Sequence, residues 1–267
     1  MFTLKTEDYS KVYKLLKGNE RYDVVLNAVL TGNTRGVVYV ENQTNPRSAL
    51  VYAVGLSYYL VGDPNNQLFL KQLTPSFMNH LKEESLHLCG GTWFCSTFFQ
   101  PHWEDTLVEK NRGRELFQGE KIYFELTRDN DHLLKIPSNY RLEKLTTSIL
   151  FHYKDLKDEI QEYWGSIDSF LISGFGYAIS EGSQVYSVCY SCSVWQNEHE
   201  LSVVTYDEKK RKQNLATIVT RAHLRECLIK GVQPRWTTDN DNIASIRLAQ
   251  KIGFTERFRA KGLDFHF

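Results

Sequence analysis

Two groups of residues in this sequence have the types and spacing for chemistry. Glu198, His199 and Glu200 stand at the head of a run rich in β-branched residues, and the basic residues Lys209, Lys210, Arg211 and Lys212 follow that run. A carboxylate at a strand end can take a proton from an amine, directly or through water. It can equally be a solvent-facing charge. The basic run leads into a helix, because Leu215, Ile218, Val219 and Ala222 recur at intervals of three and four, with Leu228 and Ile229 beyond them and Gly231 as a stop. The first turn of a helix presents unpaired N–H groups and a partial positive charge, which suit a phosphate. Four cations at that end oppose the helix dipole unless an anion binds there. A solvated surface turn is the other reading of such a run.

These groups must be held by a strand over 201–205, a charged turn and the helix behind it. Strand alternation puts Glu198 and Glu200 on one face and His199 on the other. The five cysteines, Cys89, Cys95, Cys189, Cys192 and Cys227, form an odd set in a long chain, which points to free thiols in a core. Cys192 has no histidine and base spaced to activate it as a nucleophile. His87, Cys89, Cys95 and His102 invite a zinc reading, but their spacing matches no standard finger, and residues 93–99 read as a buried strand.

With 32 basic and 32 acidic residues the formal net charge is zero, so broad attraction to nucleic acid or membrane is not expected, and recognition of a small molecule or peptide fits better. The amino end alternates charged with apolar residues and has no signal-peptide pattern, and no segment reaches the ~18 apolar residues of a membrane span. A cytoplasmic enzyme is the expectation. At 267 residues, one large domain or two ordinary ones are allowed. Oligomeric state is not legible.

In chain order, Thr6 is expected to cap a helix over 6–16 with Gly18 as its stop, followed by a short helix over 24–30. Strands over 36–40 and 50–61 flank the turn-forming segment 42–46, an antiparallel hairpin. Helical spacing over 66–86, broken before Pro75, precedes a strand at 93–99, a polar helix after His102 and a strand at 121–126. Residues 127–138 read as a linker. Beyond it come a strand at 140–144, a helix at 153–164, strands at 174–180 and 184–195 about the turn 181–183, and the strand leading into the basic loop. A strand at 236–238, a helix at 242–252 and a strand at 254–258 close the chain.

Arg211-Lys212-Gln213-Asn214-Leu215-Ala216 resembles the Q/R-x-x-G-x-G/A pyrophosphate loop of the GNAT superfamily of N-acetyltransferases, and residues 242–254, NIASIRLAQKIGF, resemble its N-x-x-A/S-x-x-L-Y/A-x-K-x-G-F signature. Two motifs in order make the match fairly specific over 140–267; within the superfamily the chain looks most like the two-lobed bacterial group that includes the zwittermicin-resistance type acetyltransferases.

The resemblance implies an α+β fold with a mixed, mostly antiparallel central sheet flanked by helices. It implies a C-terminal acetyl-CoA-binding domain over 136–267 and a degenerate N-terminal companion lobe over 1–135. It also implies direct acetyl transfer from acetyl-CoA to an amine of a small-molecule or peptide acceptor, without a metal. Glu200 would be the base, and Val203, Val204, Thr205, Arg211, Lys212, Gln213, Asn214, Leu215, Ala216, Thr217, Asn242 and Ser245 would bind the cofactor. Two central strands, ending at Thr205 and beginning near Arg235, would part to admit the pantetheine arm. Asn214 stands where the family usually has glycine, and Ala249 stands where many relatives carry a tyrosine that protonates the departing thiolate. Those departures favour the alternative, an inactive module of the same fold that binds acyl-CoA as a sensor or interaction protein.

Overall fold

Along the strands nearest the amino end, successive side chains feed two different cores. The computed structural model describes residues 1–16, 23–100, 102–128, 135–211 and 213–267. The chain divides into one unit of residues 1–122 with 258–267, and a second of residues 123–257. In the first unit, β1 (Phe2–Thr3), α1 (Ser10–Tyr13) and α2 (Val24–Leu30) precede β2 (Gly36–Val40), β3 (Ser48–Ala53) and β4 (Ser57–Gly62). Val38, Val40, Ala49, Val51 and Ala53 pack with α1 and α2 on one face. The alternate residues Tyr39, Leu50 and Tyr52 face the other core, with α3 (Gln67–Gln72), α4 (Pro75–Cys89) and α5 (His102–Lys110). This period of two is what a sheet buried on both faces requires.

Several boundaries differ from expectation. The helix expected over 6–16 is a single short α1 between 3-10 turns at Thr6–Asp8 and Lys14–Leu16, no side chain caps the first turn, and Gly18 lies outside the described residues. The strand expected over 50–61 is two strands, because Gly55 takes a positive φ of 73° and turns the chain. β4 then pairs in parallel with β5 (Trp93–Phe98) at Tyr58↔Ser96, Tyr59↔Thr97 and Leu60↔Phe98. Half of the linker segment 127–138, residues 129–134, also lies outside the described residues.

β6 (Phe117–Leu126) leads into the second unit, where β7 (Arg141–Lys144) is followed by α6 (Thr147–His152), α7 (Lys154–Trp164) and α8 (Ile167–Ser173). Of these helices only α7 is evident from apolar spacing. β8 (Gly176–Glu181), β9 (Gln184–Trp195) and β10 (Glu198–Thr205) then form an antiparallel meander. One face of the meander, through Ala178, Val188, Tyr190, Cys192 and Val194, packs on Leu150, Leu156, Ile160, Trp164 and Phe170 of α6 to α8. α9 (Leu215–Lys230), β11 (Gln233–Asp239), α10 (Ile243–Ile252) and β12 (Phe254–His266) complete the chain.

β12 runs 13 residues where a strand of five residues over 254–258 was expected. Its later part belongs to the first unit because Leu263 and Phe265, both fully buried, fill that unit's core beside Phe94 and Phe98. The compact units therefore meet in sequence at 122/123 and 257/258.

Candidate active site

β10 pairs with β9 over its full length but with β11 over only three residues. The parallel partners are Glu198↔Gln233, His199↔Pro234 and Glu200↔Arg235. Beyond them 201–205 stay with β9, and no pairing with 236–239 of β11 follows. The parting coincides with an irregularity: Glu200 opposes Ser193 and Leu201 opposes Ser191, so Cys192 is an extra residue in β9. A bulge of this kind sharpens local twist, which turns one strand away from a neighbour. Two strands that join and then diverge leave a cleft floored by backbone groups that no ladder satisfies.

Glu200 is 6% exposed and sits at this parting point, so it is not the solvent-facing charge that a strand end allows. Glu198 is bound instead to Arg235, whose Nε lies 2.9 Å from its Oε1. His199 turns away from both, as alternation requires: its Nδ1 meets Ser191 Oγ at 2.8 Å, and its ring lies against Phe175, which stacks on His223 of α9. Burial pushes the His199 imidazole down to about 4, helped by Lys230. Burial, then His199, pushes His223 down to about 3. Both are neutral at pH 7. Cys192 is a buried core residue whose thiol donates to the Glu200 carbonyl at 3.5 Å.

At the far end of β10 the chain makes a 3-10 turn at Glu208–Lys210 and enters α9 through Asn214. Asn214 takes φ 62° and ψ 12°, the left-handed conformation that asparagine tolerates better than other side chains with a Cβ. The Asn214 side chain does not cap α9, and among the described residues no side chain does so in its place, so the N–H groups of Leu215, Ala216 and Thr217 are left without an intrahelical acceptor.

The basic run divides its labour. Lys210 donates to Tyr140 Oη at 3.0 Å and Glu181 Oε2 at 3.3 Å, lies 4.5 Å from the Tyr186 ring, and is held above the usual lysine range mainly by the Tyr140 bond. Tyr140 in turn donates to Gln213 Oε1 at 3.1 Å, and Gln213 Nε2 reaches the Lys209 carbonyl at 3.3 Å. Lys210 and Gln213 thus anchor the loop to the protein, while Lys209 and Arg211 stay at the surface, Arg211 beside Glu208 at 3.0 Å. Lys212 lies outside the described residues.

Among the other expected contacts, Val203, Val204 and Thr205 are half-buried on the diverging part of β10. Asn242 Oδ1 accepts from the Ser245 N–H at 3.1 Å and caps α10, while Ser245 Oγ accepts Trp236 Nε1 at 2.9 Å, so both side chains have structural partners. Sequence reasoning missed Lys251, which reaches Asn214 and Thr217 at the head of α9, and Arg235 beside Glu200. The first lies within the 242–254 motif but nothing in its spacing says that it meets α9.

Gly253 of that motif has φ 120°, and its carbonyl accepts the N–H groups of Thr127 and Arg128 at 3.2 and 3.3 Å. A Cβ there would stand 1.9 Å from the Arg128 oxygen, so only glycine fits.

The family profile of GNAT acetyltransferases matches residues 14–262. The chain belongs to the GNAT acetyltransferase family. Among its relatives, the "Uncharacterized N-acetyltransferase YdfB" of Bacillus subtilis (strain 168) is 28% identical over 231 residues, covering 85% of this chain and 84% of that protein. A solved GCN5-related N-acetyltransferase-like protein from Streptococcus suis superposes with TM-score 0.72 at 19% identity, covering 97% of this chain and 99% of that one. A tandem GNAT protein from the clavulanic acid biosynthesis pathway has TM-score 0.60 at 12% identity, covering 97% and 95%.

The GNAT fold is mixed and mostly antiparallel with flanking helices, and the parallel strand pair of the first unit differs from that of the second. In the first unit β5 ends at its last parallel pair, so no diverging strands follow. The register positions of Glu198 and Glu200 are held there by Tyr58 and Leu60. The helix of that crossover, α4, is closed by Thr74 Oγ1 accepting from the Phe77 N–H at 3.2 Å and by Pro75 at its start, which has no N–H. Among the described residues, no group of three or more His, Cys, Asp or Glu side chains is placed to hold a metal, and His87, Cys89, Cys95 and His102 form no such group. No helix among them is long and apolar enough to cross a membrane.

Proposed function

We propose that this GNAT protein moves an acetyl group from acetyl-CoA to an amine of a small-molecule or peptide acceptor in the cytoplasm, by direct transfer in the second unit. Within the family we assign it to the two-lobed bacterial group that includes the zwittermicin-resistance type enzymes, with the first unit as a companion lobe that has lost its cofactor site. The observation that carries the reading is the parting of β10 from β11 after Glu200, on a strand that leads to an uncapped helix start.

In this reading the N–H groups of 215–217 hold the pyrophosphate, with Lys209, Arg211 and Lys251 supplying positive charge around it. The residues fit that anion: Lys210 and Gln213 tie the loop to Tyr140, Asn214 takes the left-handed turn, and cations at the dipole's positive end gain a counter-charge. Bound acetyl-CoA supplies the activated thioester. Glu200 takes the proton from the acceptor amine, which attacks only as the free base. Diverging residues 203–205 line the arm of the cofactor.

Calorimetry with coenzyme A tests the cradle. Binding should weaken at least tenfold in R211E/K212E, as removal of charge-assisted phosphate contacts implies; unchanged affinity in the folded variant would refute it. A second reading, an acyl-CoA sensor without turnover, is favoured by Ala249, fully buried and without a hydroxyl where many relatives have one. Thiol release from acetyl-CoA with a panel of amines separates the two.

A further inference from the structure

We infer that Arg235 is a positioning residue for acetyl transfer: by clamping β10 to β11 as far as Glu200 and no further, it fixes where the cleft opens and where the Glu200 carboxylate stands in it. The inference rests on the reading of β10 and β11 as the cofactor cleft.

The backbone alone holds these strands weakly at this point. Their ladder is three pairs long, and its middle residue on β11, Pro234, has no N–H to donate. The Arg235 guanidinium, 15% exposed, adds what the ladder lacks. Its Nε and Nη2 both donate to Glu198 Oε1 on β10, and Nη2 also reaches Gln233 Oε1 at 3.1 Å. Its Nη1 donates to Glu125 Oε2 on β6 at 3.2 Å, where Arg257 Nε also stands at 4.0 Å. One side chain therefore joins three strands. These bonds leave Arg235 directed at protein oxygens and not at a ligand.

The clamp and the parting point coincide in register. Arg235 is the partner of Glu200, the last parallel pair. Its successor Trp236 is drawn to Ser245 of α10, while Leu201 remains with Ser191 of β9, so the strands separate immediately beyond the clamp. Both donors to Glu198 fall on Oε1, and Oε2 is buried without a hydrogen-bond partner among the described residues. Arg235 is thus the counter-charge of Glu198, and without it a buried carboxylate would pull the first residues of β10 toward water. Lysine would keep the charge but not the planar fork that spans Glu198, Gln233 and Glu125.

The test compares R235M, R235K and E125Q with the unaltered protein. Amide hydrogen exchange at 198–200 should quicken about tenfold in R235M and R235K while 188–190 in mid-β9 hold their rates. The coenzyme A dissociation constant should stay within about threefold, because the phosphate loop lies at the other end of β10, while kcat falls about tenfold to 100-fold from the misplaced base. In R235M the acid limb of the kcat profile should also move to higher pH, since a carboxylate that loses a neighbouring cation binds its proton more tightly; in R235K the limb should stay while kcat still falls. That split separates clamp from charge, and neither would move if Arg235 were ordinary packing. Normal exchange and kcat within twofold in R235K overturn the inference. If R235M does not fold, R235K and E125Q decide, E125Q cutting one arm with an expected loss of about threefold in kcat. If the unaltered protein neither binds coenzyme A nor releases thiol, the cleft reading has failed, and the exchange rates still report whether Arg235 holds the strands.

Discussion

Lys251 Nζ donates to Asn214 Oδ1 at 2.8 Å and reaches Thr217 Oγ1 at 3.4 Å, tying α10 to the residue that stands where the family usually has glycine. The side chain that replaces glycine is therefore used, and φ 62° shows that the loop keeps its left-handed turn. N214G should retain coenzyme A affinity within about threefold, since glycine takes this conformation freely. N214A should lose about 1 kcal/mol of stability in urea denaturation, because alanine has no side-chain bond to offset the left-handed cost. K251M should weaken coenzyme A binding without unfolding the protein; equal affinity would mean that Lys251 only braces the turn.

Glu200 is expected to act as the base. A positioned base contributes roughly 100- to 10,000-fold, so E200Q should lose turnover on that scale at neutral pH, keep coenzyme A affinity, and recover part of its rate as pH rises and the amine deprotonates in solution. C192A should turn over nearly normally, because that thiol is buried and bonded to a backbone carbonyl. A dead C192A with an active E200Q would instead indicate an acyl-enzyme route.

Calorimetry should find one coenzyme A site per chain. The capped start of α4, Pro75 within it and the absence of strand divergence after Leu60 leave the first unit without the features of the second. A stoichiometry of two would contradict the companion-lobe reading.

The second unit should be acid-sensitive through His199 and His223. Their folded values, about 4 and about 3, lie below the unfolded value near 6.5. The unfolded chain therefore binds more protons, and stability is complete above pH 6.5 and falls as pH drops toward 4. At pH 5 each histidine accounts for about 2 kcal/mol of lost stability. H223L should flatten the slope of unfolding free energy between pH 6.5 and 5 by one proton; an unaltered slope would exclude His223 as a source.

The order of elements in the second unit was legible because its cues are local. A β-branched run, a hairpin turn at 181–183, a basic loop and a helix at periods of three and four each announce themselves in neighbouring residues, and β9 and α9 appear close to the expected bounds. Gly55 was the cue missed in the strand expected over 50–61, since one positive φ is enough to split an apolar run into a hairpin. The short helices α6 and α8 were missed because six or seven residues show too little periodicity to count.

The site residues divide along the same line. Glu200, the 211–217 loop and the 242–254 motif could be nominated from the sequence because each lies in a string of adjacent residues, and the left-handed state of Asn214 follows from its own chemistry. Arg235 over Glu198 and Glu125, Lys251 on Asn214, and Tyr140 under Lys210 join residues 37 to 110 positions apart. The return of Leu263 and Phe265 to the first unit's core is longer still. By itself the sequence determined the family, the strand, loop and helix of the candidate site, and the residues able to hold a phosphate or take a proton. Only the tertiary structure decided which charges are already bound to protein partners and where the two central strands part, because hydrogen bonds between distant residues depend on how whole elements pack and leave no period in the chain.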